Sequence, residues 1–199
     1  MPNYCYHQMY CYGTAEDIEQ LKQHILVKDE QGETHFDFNR IIPMPPELDI
    51  DCVSPVGSEL KAIYALNKQR YGYETWYDWC IAYWGTKWNA LNTVILDSSA
   101  DLCIGFDTAW NPALPIYRQL CKAFPQVKFK IDYIEVGVSL AGSCEGINGE
   151  LEEDVFDGDI NEFAWSHFGW DLVNDPFDHD EGYDDEGNEL PAENEEYIR

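Results

Sequence analysis

The chain has few basic residues for its length. Its 199 residues include 12 Lys and Arg against 38 Asp and Glu, which gives a net charge of -26. Proteins that grip nucleic-acid phosphates need clustered Lys and Arg, and anionic membrane surfaces attract the same residues. The composition therefore argues against direct binding to nucleic acid or to a membrane, and it leaves basic proteins or metal cations as partners.

Long apolar runs and paired-cysteine motifs are also missing. No apolar stretch approaches the roughly 18 residues that a membrane span requires, and the first residues lack the basic and apolar parts of a signal peptide. The seven Cys are odd in number and no two are spaced as CxxC, so a disulfide framework is not indicated. These absences predict a soluble protein of a reducing cytoplasm.

Motifs for catalysis and metal binding are absent as well. We find no nucleophile elbow, phosphate loop or dinucleotide fingerprint, and an EF-hand register starting at Asp157 or Asp178 does not place Gly at its sixth position. Cys5, His7 and Cys11 share a strand face, but such a face is more typical of buried small residues than of a zinc site. We expect no cofactor, no metal and no enzymatic activity, although a Cys-His pair assembled in space remains open.

The apolar pattern that is present predicts a mixed fold. Alternation predicts strands at 3–12, 34–39, 93–96, 102–107 and 128–140. Helical spacing predicts helices at 14–27, after Ser58, at 73–84 and after Pro115. The order of these elements predicts an α+β class, a ferredoxin-like split βαβ sheet with a helical insertion at about 43–90.

The first strand places tyrosines on one face, namely Tyr4, Tyr6, Tyr10 and Tyr12. Aromatic rings on a sheet can stack nucleobases, but such platforms are accompanied by basic grooves. We therefore expect these rings to pack under the insertion or the C-terminal segment.

The C-terminal part is strongly acidic. Residues 145–199 hold 20 acidic residues and one basic residue, Arg199, so they form an acidic extension to a domain at 1–144. Aromatic residues within 160–170 predict a short helix docked on the core, whereas the composition of 174–199 is typical of a flexible segment. Such a segment either only keeps the protein in solution or binds a partner. In the second case the predicted partner-binding surface consists of Asp171, Asp175, Asp178, Asp180, Glu181, Asp184, Asp185 and Glu186.

The segment 84–89 is unusual for a plain core. It places two Trp around a Gly turn and a single Lys, and that Lys is expected to lie over a Trp ring or to pair with an acid. One interpretation is a rigid corner between the insertion and the sheet, and another is a partner-binding corner or an aromatic pocket that also uses Trp76. The candidate residues are Trp84, Lys87, Trp88, Asn89, Trp110 and Asn111.

Several segments carry a family resemblance. Phe38-Asn39-Arg40-Ile41-Ile42-Pro43-Met44-Pro45, Trp84-Gly85-Thr86-Lys87-Trp88-Asn89-Ala90, Phe106-Asp107-Thr108-Ala109-Trp110-Asn111-Pro112 and Tyr133-Ile134-Glu135 resemble the YubB-like ferredoxin-like domain of plasmid- and phage-encoded proteins. The resemblance covers about residues 1–145, and the family usually has Trp in place of Tyr4 and Asn in place of His7. It implies a ferredoxin-like fold and an origin in a plasmid or phage, hence a bacterial host cell, and it implies no activity.

Three functional hypotheses follow from these patterns. The leading one is a non-enzymatic, acidic phage or plasmid protein that mimics nucleic acid and inhibits a basic, nucleic-acid-binding host protein such as a defence component. The alternative is a small ligand-binding or enzymatic domain that uses an aromatic pocket near 84–89. The third is self-association through exposed aromatic residues.

Overall fold

The computed structural model describes residues 3–53, 57–97 and 101–174 of the chain. It divides into two compact units after Asp157. None of the helices in the described residues is long and apolar enough to cross a membrane.

The first unit is built on an antiparallel sheet, and its elements follow one another along the chain. The strands are β1 (Tyr4–Tyr12), β2 (Leu26–Lys28), β3 (Thr34–Phe36), β4 (Leu91–Asp97), β5 (Asp101–Ala109), β6 (Lys128–Glu135), β7 (Leu140–Ile147) and β8 (Glu150–Val155). The helices are α1 (Ala15–Ile25), α2 (Ser58–Tyr71), α3 (Trp76–Trp84) and α4 (Leu114–Ala123), with 3-10 turns at Phe38–Arg40 and Pro46–Leu48.

The sheet order confirms the ferredoxin-like prediction. Six strands pair in the order β4-β5-β1-β6-β7-β8, and β2 pairs with β3 in a separate hairpin. The first four of these strands, with α1 after β1 and α4 after β5, form the split βαβ arrangement of an α+β ferredoxin-like fold. The insertion predicted at about 43–90 contains α2 and α3, and the predicted boundary at residue 144 lies inside β7.

The core lies on one face of this sheet. Alternation along β1 buries Cys5, His7, Met9 and Cys11. The apolar residues of that face join one hydrophobic cluster with the buried sides of α1 and α4, which contribute Ile18, Leu21, Ile25, Ile116, Tyr117 and Leu120. Burial of large side chains such as these is worth roughly 1.5–3 kcal/mol each, so this face is the main source of stability.

Local sequence signals explain where α1 begins. The Thr14 hydroxyl accepts a hydrogen bond from the Asp17 backbone N–H at 3.2 Å, and the Asp17 carboxylate accepts one from the Thr14 N–H at 3.2 Å. This reciprocal capping box satisfies two backbone donors at the helix start. Thr14 is therefore the N-cap of α1, and the predicted start of the helix at residue 14 is confirmed.

The strand predicted at 128–140 is wrong as a single element. The chain forms β6 and β7 instead, joined by a turn, because the Glu135 carboxylate accepts hydrogen bonds from the N–H groups of Gly137 at 3.0 Å and Val138 at 2.7 Å. Ser139 completes the turn with a φ of 54°. The sheet consequently continues through β7 to β8. The apolar pattern did not predict β8, but Asn148-Gly149 is a typical hairpin sequence, and with φ angles of 53° and 85° these two residues form the turn between β7 and β8.

The described part of the second unit is short. A turn of helix, α5 (Ile160–Phe163), begins after Asp159, whose carboxylate accepts from the Asn161 N–H, and continues as a π-helical turn, Ala164–Phe168. Phe163 stacks on His167 at 4.0 Å between ring centroids. The predicted helix at 160–170 is confirmed in this form, its docking stays a prediction, and residues 175–199 of the predicted flexible segment lie outside the described residues.

Candidate functional site

The predicted acidic surface falls mostly outside the described residues. Asp171 is described, and its carboxylate accepts hydrogen bonds from the backbone N–H groups of Val173 and Asn174 and from the Asn174 side chain. These bonds, first of all the one from the Asn174 side chain, lower the pKa of Asp171. The other predicted residues, Asp175, Asp178, Asp180, Glu181, Asp184, Asp185 and Glu186, lie in the part of the chain that is not described.

The described residues are themselves acidic. They contain 27 of the 38 acidic residues and 11 of the 12 basic ones, and so carry a net charge of -16. The densest stretch is β8, the strand at one edge of the sheet, where four of six residues are acidic. Alternation places Glu150, Glu152 and Asp154 on one face, and we call these three residues the β8 carboxylates. Alternate residues of a strand lie roughly 6.6–6.8 Å apart, which resembles the separation of successive phosphates along a nucleic-acid strand.

The β8 carboxylates are exposed and make no ion pair with a described residue. Glu153, on the other face, differs because it pairs with Arg118 at 3.5 Å and accepts a hydrogen bond from the Tyr133 hydroxyl at 3.1 Å. Glu152 lies directly opposite Glu145 on β7. Like charges in that position repel, so β8 retains an electrostatic penalty that a neutral edge strand would not have.

The segment 84–89 forms a tight corner after α3. Gly85 adopts a φ of 84°, and a Cβ there would lie 2.9 Å from the Pro112 carbonyl oxygen, so a larger residue is both strained and obstructed. On either side of it, the Trp84 indole N–H donates to the Ile42 carbonyl at 2.9 Å. The Thr86 hydroxyl both donates to the Ala109 carbonyl and accepts from the Ala109 N–H.

The Asn89 amide extends this corner toward the residues after β3. Its oxygen accepts from the Phe38 N–H at 2.8 Å, and its nitrogen donates to the Asp37 carboxylate at 2.6 Å. Trp84 and Asn89 therefore use their polar atoms within the fold. Both are part of a frame that joins the insertion to the sheet.

A pocket of about 250 Å³ opens beside this frame, and we call it the tryptophan pocket. It is lined by Met44, Asp49, Trp76, Cys80, Trp84, Lys87, Trp88 and Asn89. Trp84 is 3% exposed, whereas Trp76 and Trp88 are half-buried and present ring surface. The sequence-predicted residues Trp84, Lys87, Trp88 and Asn89 thus come together here.

Two charged groups line the tryptophan pocket. The Lys87 Nζ lies 4.2 Å from the centroid of the Trp88 ring, within cation–π distance. Neither Lys87 nor Asp49 makes a side-chain hydrogen bond or ion pair with a described residue. Burial, followed by the negative charge of Asp49, raises the pKa of the Cys80 thiol to about 12. Cys80 is therefore a neutral thiol and not an activated nucleophile.

Trp110 and Asn111 lie outside the pocket lining. Trp110 has a φ of 71°, is 40% exposed, and donates its backbone N–H to the Asn3 carbonyl at 3.0 Å. The Asn111 carbonyl accepts from the Thr108 hydroxyl at 2.7 Å. These residues therefore shape the turn after β5.

Cys5, His7 and Cys11 belong to the buried face of β1. The Nδ1 of His7 lies 3.2 Å from the Phe106 carbonyl oxygen, and its ring stacks on Phe106 at 4.6 Å. Burial lowers the pKa of His7 to about 3, so the ring is neutral, and burial raises the pKa of both thiols. Within the described residues no group of three or more potential ligands could hold a metal ion.

The tyrosines of β1 lie on the opposite face of the sheet. Tyr4, Tyr6 and Tyr10 are half-buried and Tyr12 is 40% exposed. The basic residues near them on β6 are engaged with acids, since Lys128 pairs with Glu145 at 3.8 Å and Lys130 with Asp132 at 3.1 Å. These pairs leave little positive charge for a nucleic-acid backbone.

Sequence reasoning missed Asp107, which is 8% exposed on that same face. It lies opposite Tyr6 and accepts a hydrogen bond from the Asn92 side chain at 2.8 Å. Burial raises the pKa of Asp107 to about 6, and the bond from Asn92 opposes that rise. Asn92 has a φ of 49° in an irregular part of β4. The available signal was an Asp in the middle of the mostly apolar part of β5, residues 102–109.

Comparison with known proteins agrees with the fold. Residues 83–169 match the family model described as the ferredoxin-like domain in Api92-like protein. The chain is also similar to the crystal structure of protein api92 from Yersinia pseudotuberculosis, with a TM-score of 0.50 and 9% identity over 80% of this chain and 99% of that one. No curated protein matches the chain. At this identity the structural likeness shows the ferredoxin-like fold alone.

Proposed function

We propose that this protein is a non-enzymatic, acidic interaction protein that occupies the nucleic-acid-binding groove of a basic partner. The observation that supports this most is the exposed row of β8 carboxylates, which are unpaired among the described residues and repeat along an edge strand. In such a groove, carboxylates take the place of phosphates as partners of Lys and Arg. Releasing the counterions around these groups favours association and makes it salt-sensitive.

Long-range attraction supports the same function. The described residues carry -16 and the whole chain -26. A field of that sign steers a basic partner toward the protein and raises the association rate at low ionic strength. The acidic residues at 175–199 add to the same field.

The origin of the partner is part of the proposal. The resemblance of 84–90 and 106–112 to YubB-like proteins of plasmids and phages favours a bacterial cytoplasmic setting. A protein carried by such elements benefits from inhibiting host components that bind nucleic acid, for example defence proteins. We therefore place the basic partner among these proteins.

The test compares two variants with equal loss of charge. One replaces the β8 carboxylates (Glu150→Gln, Glu152→Gln, Asp154→Asn), and the control replaces Glu19, Glu30 and Glu74, which are exposed elsewhere. Proteins captured from a bacterial lysate at low salt are identified, assayed for DNA binding and challenged with duplex DNA. The intact protein should capture nucleic-acid-binding proteins that DNA displaces.

Loss of the β8 carboxylates should weaken this capture and lower the slope of log affinity against log salt by about 1 for each removed contact. The control variant should behave like the intact protein. Equal capture by both variants, or capture that DNA does not disturb, would contradict the proposal.

A second candidate function is ligand binding in the tryptophan pocket. It is favoured by two half-buried indole rings next to a Lys and an Asp that have no polar partner among the described residues. The neutral Cys80 thiol favours binding over nucleophilic catalysis at this place.

A further inference from the structure

Building on the function proposed above, we infer that the tryptophan pocket receives one cationic side chain, an ammonium or guanidinium group, of the basic partner. The juxtaposition that carries this inference is two half-buried Trp rings, the unpaired Asp49 carboxylate and a Lys already seated on one ring. The pocket would add short-range specificity to an attraction that is otherwise long-range.

The size and walls of the pocket suit a single side chain. Its volume of about 250 Å³ lies below the roughly 300–1,000 Å³ typical of pockets for drug-sized ligands. Trp76 and Trp88 line the pocket, and indole is the aromatic ring that attracts cations most strongly. Trp84, which also lines the pocket, is buried and is held by its bond to the Ile42 carbonyl.

Lys87 shows that the Trp88 ring can hold an ammonium group. Its Nζ sits 4.2 Å from the Trp88 centroid, so that ring face already accepts an ammonium group. No described carboxylate pairs with Lys87, although acidic residues outnumber basic ones by more than three to one. Its flexible stem can therefore swing away and yield the ring to a partner's cation, and we regard Lys87 as an internal competitor.

Charge favours a cation over an anion in this pocket. With Lys87 displaced, the remaining charged group of the lining is Asp49, and the described residues taken together carry a net charge of -16. A planar anion would instead need Lys87 in place and would meet repulsion from Asp49. Substitutions of Lys87 or Asp49 should therefore change the affinity for a cation and the affinity for an anion in opposite directions.

The experiment uses small probes that isolate the pocket. The full chain is titrated with acetyl-arginine amide as the cation, acetyl-norleucine amide as a neutral chain of similar length, and benzoate as a planar anion. Indole N–H signals are followed by NMR, and those of Trp76 and Trp88 are assigned with single Trp→Phe variants. We expect the cation to shift both signals more strongly than either other probe.

Substitutions in the pocket then test whether it prefers a cation or an anion. Lys87→Met, which keeps the stem and removes the competitor, should tighten binding of acetyl-arginine amide by about two- to fivefold. Asp49→Asn should weaken it by a similar factor, and so should Trp88→Leu, with Trp88→Phe falling between because it keeps a weaker ring. Circular dichroism of each variant checks that the fold is retained.

Any of three results would overturn the inference: no shift of the Trp76 and Trp88 indole signals, preferential binding of benzoate, or weaker cation binding by Lys87→Met. Such results would leave the β8 proposal standing if the β8 variant still loses DNA-competed capture. Conversely, cation binding that survives in the β8 variant while capture is unaffected would support the pocket and contradict the proposed acidic surface.

Discussion

Replacing the buried Asp107 with asparagine should stabilise the protein at neutral pH and change how its stability depends on pH. Burial raises the pKa of this carboxyl from its ordinary 3.8 to about 6. The folded state therefore holds the proton more tightly than the unfolded chain does. The stability that this proton contributes is complete below pH 3.8 and is lost as the pH rises through about 6.

The size of the effect follows from the same pKa values. A rise from 3.8 to about 6 corresponds to about 3 kcal/mol of unfolding free energy at pH 8, of which about 1.4 kcal/mol is lost between pH 5 and pH 8. In the Asp107→Asn variant the new amide oxygen still accepts from Asn92, and the group does not ionise. The introduced amide N–H groups can remove about 1–3 kcal/mol if they find no acceptor, so the change with pH is the sharper quantity.

Urea unfolding of the intact protein and of Asp107→Asn should be measured from pH 5 to pH 8, above the isoelectric point of about 4.2. The difference in unfolding free energy should grow by about 1.4 kcal/mol across this range in favour of the variant. Asp78→Asn, which removes one exposed carboxylate on α3, controls for the change in net charge. Parallel curves for Asp107→Asn and the intact protein would refute the reasoning.

Further expectations concern packing, the corner and thiol access. Gly146→Ala would place a Cβ 2.3 Å from the Cys121 Sγ, so thermal or urea unfolding should show a loss of about 1–3 kcal/mol, and adding Cys121→Ala should recover part of it. Thr86→Val removes both bonds to Ala109 and should lower stability by about 1–3 kcal/mol; an equal loss in Thr86→Ser would contradict this cause. Cys52 is exposed and should react with a thiol reagent before the five buried thiols, which would be contradicted if any of those reacted equally fast in the folded protein.

The ferredoxin-like arrangement could be predicted from the sequence because short-range patterns encode its elements. Alternation predicted β1, and the capping box at Thr14 predicted the start of α1. Pro115 predicted the first turn of α4. Each signal acts within a few residues along the chain, where propensity and local hydrogen bonding dominate. Their order along the chain then left few topologies.

The last strand of the sheet was harder to predict from the sequence. β8 consists mainly of acidic residues, so it carries no apolar alternation, and its strand conformation depends on pairing with β7. Likewise α1 ends at Ile25, earlier than predicted, because Leu26–Lys28 pairs with β3. In both cases a contact with a neighbouring strand overrides the local preference.

The sequence by itself determined the fold class, the excess of negative charge and the unusual character of 84–89. Tertiary structure alone decided that Asp49 and Cys80 join this segment around one pocket. It also decided that Trp110 stays outside the pocket and that Asp107 is withdrawn from water. The physical reason is that composition and periodicity depend on neighbours along the chain. Pocket membership and desolvation depend instead on residues far apart in sequence that only packing brings together.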